Sequence, residues 1–260
     1  MKNFRIISRL EVKSEYVVKG LRMDGLRKID LPTNLVKNFR DNYIDEFFYD
    51  DIVASLYNRT IDYKILKKVS HLINIPLSVG GRVKTISDYY KLFGAGADKV
   101  SVNTSIFENP NLLSKASKIF GSQSVCTHIQ YKNLDNEKKD PEVFAEAGRE
   151  RKYKKLYEWI KFVQDNGVGE IYLFSIDNDG IDYEIDIEIL EKARKITNVP
   201  IIYGGGINSL VKIKKLIEIG FDGITISSAL YDHSLDIKKI KKNLSKTYPT
   251  VNFNLNYETK

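Results

Sequence analysis

An internal repeat constrains this chain more than any other feature. The segment IPLSVGG at Ile75–Gly81 returns as VPIIYGGG at Val199–Gly206. Each copy is followed by an amphipathic stretch, an aspartate-bearing turn and another apolar run, GAGADKVSVNTSI in one half and EIGFDGITISSAL in the other. Asp98 matches Asp222 and Thr104 matches Ser228, both at a separation of 124 residues. Two similar halves, each of four strand–helix units, close into one barrel. An open doubly wound sheet would leave the two-fold repeat unexplained.

Eight short β-rich runs support that reading: FRIISRLEV, DEFFYDDI, IPLSVGG, KVSVNTS, SVCTHIQ, EIYLFSID, VPIIYGGG and GITISSAL. Between them lie segments of helical period such as TISDYYKLFGAG at Thr85–Gly96 and SLVKIKKLIEIG at Ser209–Gly220, the alternation that yields parallel strands joined by helices. A (β/α)8 barrel needs about 250 residues, so the 260 residues are expected to form one barrel domain spanning 1–260. The net charge of +7 could attract an anion. Its lysines and arginines are nevertheless scattered, without the aromatic-interleaved stripe of a nucleic-acid binder, and no nucleic-acid partner is expected. The start MKNFRIISRLEVK is too short in apolar residues for a signal peptide or a membrane span, so a cytosolic protein with no membrane partner is expected. The single cysteine, Cys126, has no partner for a disulfide or a metal site and is assigned to core packing.

The chemistry of such barrels sits at the C-terminal ends of the strands, where phosphate is commonly held by glycine-rich loops. Here the repeat supplies that site twice. Gly80 and Gly81 with Asn103 and Thr104 form one set, and Gly205 and Gly206 with Ser227 and Ser228 form the other. A substrate with phosphate at both ends follows. The ends of the first and fifth strands, where catalytic side chains would stand, carry Glu11 and Gln130. Only Glu11 can act as a general acid or base.

The order of VVKG at Val17–Gly20, PLSVGG, GAGADKVSVNTS, FGSQ at Phe120–Gln123, SIDNDG at Ser175–Gly180 and the GGG segment resembles the HisF family, the cyclase subunits of imidazole glycerol phosphate synthase, over nearly the full length. The resemblance implies a barrel that takes ammonia from a HisH-like glutaminase subunit in a heterodimer. The family's substrate is a bis-phosphorylated ribulosyl formimino compound, which it cleaves and cyclises without a metal or organic cofactor. It further implies phosphate contacts at Gly81, Asn103, Thr104, Asp179, Gly180, Gly205, Gly206 and Ser228. Lys19 matches the lysine of a flexible first loop, and Asp51 an acidic residue ending the second strand. Arg5, Glu46, Lys99 and Glu170 resemble the charged gate through which ammonia enters.

Departures from the family fall in the substrate region. The two catalytic aspartates become Glu11 and Gln130, Arg82 replaces a third glycine, Phe174 replaces a threonine, and Asp135 to Lys155 lacks the Gly-rich substrate loop. A retained gate with altered acids places first a relative that delivers ammonia to another acceptor, in surface-glycan sugar amidation. The histidine-pathway cyclase, a lyase, comes second, and a non-catalytic scaffold for the glutaminase third.

Overall fold

Each of the eight apolar runs forms a strand, because β-branched and aromatic side chains alternate between two faces that are both covered. A computed structural model describes residues 3–40, 43–135 and 140–251. In chain order its strands are β1 (Arg5–Lys13), β2 (Tyr16–Leu21), β3 (Asp24–Asp30), β4 (Glu46–Asp51), β5 (Leu77–Gly80), β6 (Lys99–Val102), β7 (Val125–Lys132), β8 (Glu142–Ala145), β9 (Glu150–Lys155), β10 (Glu170–Ser175), β11 (Ile201–Gly204) and β12 (Gly223–Ile226). The parallel series β1, β4, β5, β6, β7, β10, β11, β12 pairs in that order, and β12 pairs back to β1. This is the closed (β/α)8 barrel expected from the repeat.

Period two along each strand sorts the side chains. Ile6, Leu10, Phe47, Tyr49, Ile129, Leu173 and Tyr203 pack outward with helix residues such as Leu66, Tyr89, Leu113, Leu190 and Leu216 in the main core. Ile7, Phe48, Cys126, Tyr172 and Ile202 form a separate cluster inside the barrel. Cys126 therefore fills the barrel interior. The helices between strands start where the sequence places capping residues. Thr85 and Asp88 close a capping box on the helix Ile86–Phe93, and Ser209 caps Leu210–Ile219, which ends at the left-handed Gly220.

The matched aspartates of the repeat do the same structural job in both halves. Asp98 accepts from the Leu77 N–H at 2.8 Å, and Asp222 from the Ile201 N–H at 3.0 Å. Asp45 repeats the contact on the Ile6 N–H at 2.8 Å. In each pair a carboxylate just before one strand ties down an amide at the start of its neighbour.

Four further strands lie outside the barrel wall. The hairpin β2–β3 continues antiparallel from β1, and the hairpin β8–β9 continues antiparallel from β7. Each half-barrel thus opens with a strand that runs on into a hairpin over the C-terminal face. Lys19, read as part of a flexible loop, stands instead on β2 and is buried. Most of Asp135 to Lys155, read only as lacking a substrate loop, is the second hairpin; residues 136–139 lie outside the described residues. Among the described residues no helix is long and apolar enough to cross a membrane.

Candidate active site

Two of the pockets at the C-terminal ends of the barrel strands sort the residues as the repeat did. Asp51, Gly81, Asn103, Thr104 and Gln130 line the first. Lys19, Asp179, Gly180, Gly205, Gly206, Ser227 and Ser228 line the second. Backbone must come close to the cavity at both. Gly81 has φ 132°, and a Cβ there would meet the Asp51 Cβ at 2.9 Å. Gly206 has φ 70°, with the Asn178 carbonyl oxygen 2.8 Å from a Cβ. Both conformations favour glycine, so the chain can turn tightly beside each pocket. Arg82 adopts φ 46° at the rim of the first pocket, and its Nε donates to the Asn58 Oδ1 at 2.9 Å.

Glu11, placed by the sequence among the candidate catalytic groups, lines neither pocket and is fully buried. Period two places Arg9 on the same inward face, and its Nη1 donates to the Glu11 Oε1 at 3.0 Å. The Lys19 ammonium donates to the same oxygen at 2.8 Å and also to Asp179. Asp179 in turn accepts from the Met23 N–H at 2.9 Å, which ties the first hairpin to the loop after β10. Burial pushes the Glu11 carboxyl up and outweighs the opposing pull of Lys19 and Arg9.

Gln130 lies at the floor of the first pocket, where its Oε1 accepts from the Gly148 N–H at 2.9 Å. It positions the turn of the second hairpin, and its neutral amide cannot serve as a general acid or base. Asp51 is a different case. Burial pushes its carboxyl up to about 6, against the Arg59 guanidinium 2.8 Å away. Asn103 donates to the Phe144 carbonyl at 3.2 Å and the Thr104 hydroxyl accepts from the Glu146 N–H at 3.2 Å, so the second hairpin is latched across this pocket.

At the opposite end of the barrel, Arg5, Glu46, Lys99 and Glu170 close a ring. Arg5 donates to Glu46 at 2.7 Å and to Glu170, and Lys99 donates to Glu46 at 2.8 Å and to Glu170 at 2.7 Å. The four come from β1, β4, β6 and β10, and each cation bridges both acids. Tyr172 and Ser78 each donate to Glu46 at 2.6 Å from the next level inward.

Sequence reading missed three inward side chains that fill the level between ring and pockets: Arg9, Asp50 and His128. The Arg9 Nη2 donates to the Asp50 Oδ2 at 2.7 Å, and its guanidinium carbon lies 4.2 Å from the Phe174 ring centroid. The His128 Nδ1 faces the same Asp50 oxygen at 3.4 Å. Phe174, noted as a departure from a family threonine, is thus the lid of a buried arginine. Period two offered a signal, since RLE, FFYD and HIQ each set a polar residue on the inward face of its strand.

Comparison with known proteins agrees with this architecture. Residues 5–236 match the family model described as "Histidine biosynthesis protein". The chain is 38% identical over 240 residues to the imidazole glycerol phosphate synthase subunit HisF of Campylobacter concisus, covering 92% of this chain and 94% of the relative. It is 35% identical to the same subunit of Prochlorococcus marinus strain MIT 9312 over 238 residues, covering 91% and 93%. The subunit of Thermotoga sp. strain RQ2 is 35% identical over 242 residues, covering 93% and 94%.

Proposed function

The chain belongs to the histidine biosynthesis protein family, within it to the HisF subunits, and on that premise we propose that it is an ammonia-fed synthase subunit acting on a substrate with two phosphates. Residues 1–260 would form one catalytic barrel domain in the cytoplasm. Ammonia would enter from a HisH-like glutaminase docked at the N-terminal ends of the strands. The observation that carries the reading is the closed ring of Arg5, Glu46, Lys99 and Glu170 at one mouth of the barrel. Removing four charges from water is expensive, and apolar packing of equal volume would serve stability as well. A ring retained there fits a gate for a small polar molecule. At the other mouth the two glycine-lined pockets suit the two phosphates of one substrate.

The names of the relatives support the cyclase reaction of imidazole glycerol phosphate synthase ahead of the surface-glycan amidation that the sequence departures favour. The second reading keeps one specific observation: the Gln130 amide cannot act as a general acid or base, and Glu11 is held by Arg9 and Lys19 away from both pockets. A non-catalytic scaffold would have no use for paired anion pockets. The test is growth of a strain lacking the histidine cyclase, with the barrel and its glutaminase co-expressed. Growth on minimal medium supports the cyclase. Failure with soluble, glutaminase-bound barrel transfers the assignment to amidation, and failure to bind any glutaminase removes both.

A further inference from the structure

Two buried polar atoms at the first pocket invite a ligand. The His128 Nε2 and the Ser101 Oγ are both buried without a hydrogen-bond partner, and both residues line the first pocket beside Gln130. Asp50, which lines it too, engages only the other ring nitrogen of His128. An unpartnered buried imidazole nitrogen costs desolvation with no return within the protein. A ligand in the pocket supplies the missing partner.

The placement of His128 is specific. It stands on the inward face of β7, between Cys126, whose Sγ lies 3.9 Å from Glu170 of the ring, and Gln130 at the pocket floor. In register it faces Tyr172 of β10, the residue bonded to Glu46. Phe48 and Phe174 flank the imidazole edge-on, with ring centroids 5.6 and 5.4 Å away. Asp50 accepts from Arg9 as well, which fixes the carboxylate on two sides. A carboxylate on Nδ1 selects the tautomer with hydrogen there and leaves Nε2 as an acceptor.

We propose that His128, oriented by Asp50, is the catalytic base of this barrel and takes the proton released when ammonia adds to the substrate in the first pocket. This rests on the reading of an ammonia-fed barrel. In the step, the ammonia nitrogen forms a bond to an electrophilic C=O or C=N carbon, and the π pair moves to the heteroatom. One N–H bond breaks as its proton passes to Nε2, giving an imidazolium beside Asp50. The same proton then returns to the heteroatom, so histidine is regenerated and nothing else is consumed. Ser101 donates its hydroxyl to the substrate from the neighbouring strand. Such an imidazole replaces the proton-transfer capacity that Gln130 lacks.

The charged groups around His128 set its working range. Burial lowers its pKa below the ordinary histidine value and the Arg9 guanidinium lowers it further, while Asp50 and, more weakly, Asp179 oppose them. The base is therefore neutral and ready at neutral pH, and activity falls as pH drops below the ordinary histidine range. Asp50 is a positioning residue. Its variant Asp50→Asn should lower the midpoint further and admit the other tautomer.

The chain has three histidines, and His71 and His233 are exposed, so 15N-histidine NMR of the whole barrel can isolate the buried one. We expect the signal lost in His128→Gln to show hydrogen on Nδ1 and a bare Nε2, and to shift when inorganic phosphate fills the pockets. In the glutaminase complex, fed ammonium chloride and the bis-phosphorylated ribulosyl formimino substrate, His128→Gln should lower kcat about 10² to 10⁴-fold with KM little changed. His71→Gln should match the parent. Hydrogen on Nε2, no shift when phosphate moves the Gly81 amide, or parental kcat in His128→Gln overturns the proposal. A parent that does not turn this substrate over counts against the cyclase reading, and the NMR result then decides for His128 alone. A silent Gly81 amide removes the phosphate site instead, and the tautomer decides.

Discussion

Asp51 shows at the scale of one residue how burial converts into a pH dependence. Its carboxyl is nearly inaccessible, and burial pushes it up to about 6, against about 4 for a free aspartate. Because the folded value is the higher one, the folded state holds the proton more tightly. The resulting stability is present in full below pH 4 and is lost as pH rises through 6. Asp51→Asn should therefore raise Tm at pH 8, where the parent carries a buried charge, and by only about half as much at pH 5, midway between the free and the folded value. The gain expected at pH 8 is on the order of 1–3 kcal/mol, measured by thermal unfolding at both pH values. An equal shift at both would mean that Arg59 alone governs the site. Gln130→Asp tests the other altered acid position. The Gly148 N–H can still donate to the new carboxylate, so the turn should persist and any gain in cyclase turnover reports a restored proton carrier.

Elements of the two halves repeat down to individual hydrogen bonds, and the two pockets inherit the repeat. Gly206→Ala forces a side chain into a left-handed backbone against the Asn178 carbonyl, a strain of about 1–3 kcal/mol. Titration with inorganic phosphate should then lose the site of the second half and keep that of the first. Gly81→Ala should do the reverse. If either change abolished both sites, the pockets would not be independent copies. The hairpins obey the same two-fold logic, one continuing β1 and one continuing β7, yet they hold different things. The first brings Lys19 to Glu11 and Asp179, whereas the second lays Phe144 and Glu146 across Asn103 and Thr104.

Across the whole molecule, one barrel axis joins the charged ring, the level of Arg9, Asp50 and His128, and the two glycine-lined pockets. Lys99 bridges Glu46 and Glu170. Lys99→Ala leaves two acids facing Arg5 alone, and it should uncouple glutamine hydrolysis from product formation while the glutaminase still co-purifies. Product formed per glutamine consumed is the measurement. A ratio equal to the parent's would remove the gate function and leave the ring a structural feature.

Repeat and alternation, being local patterns that fix which face each residue takes, were enough to place the eight strands, their closure and the pairing of the pocket residues. The sequence also carried the four ring residues, through resemblance to the family. Tertiary structure alone decided what the inward residues touch. Arg9, Asp50 and His128 come from three strands, and the 3.4 Å approach of His128 to Asp50 depends on barrel curvature and strand register. The same holds for Glu11. Its place at a strand end was legible, but its enclosure by Arg9 and Lys19 required a hairpin that folds back over the barrel mouth, and no local spacing encodes where such a hairpin lands.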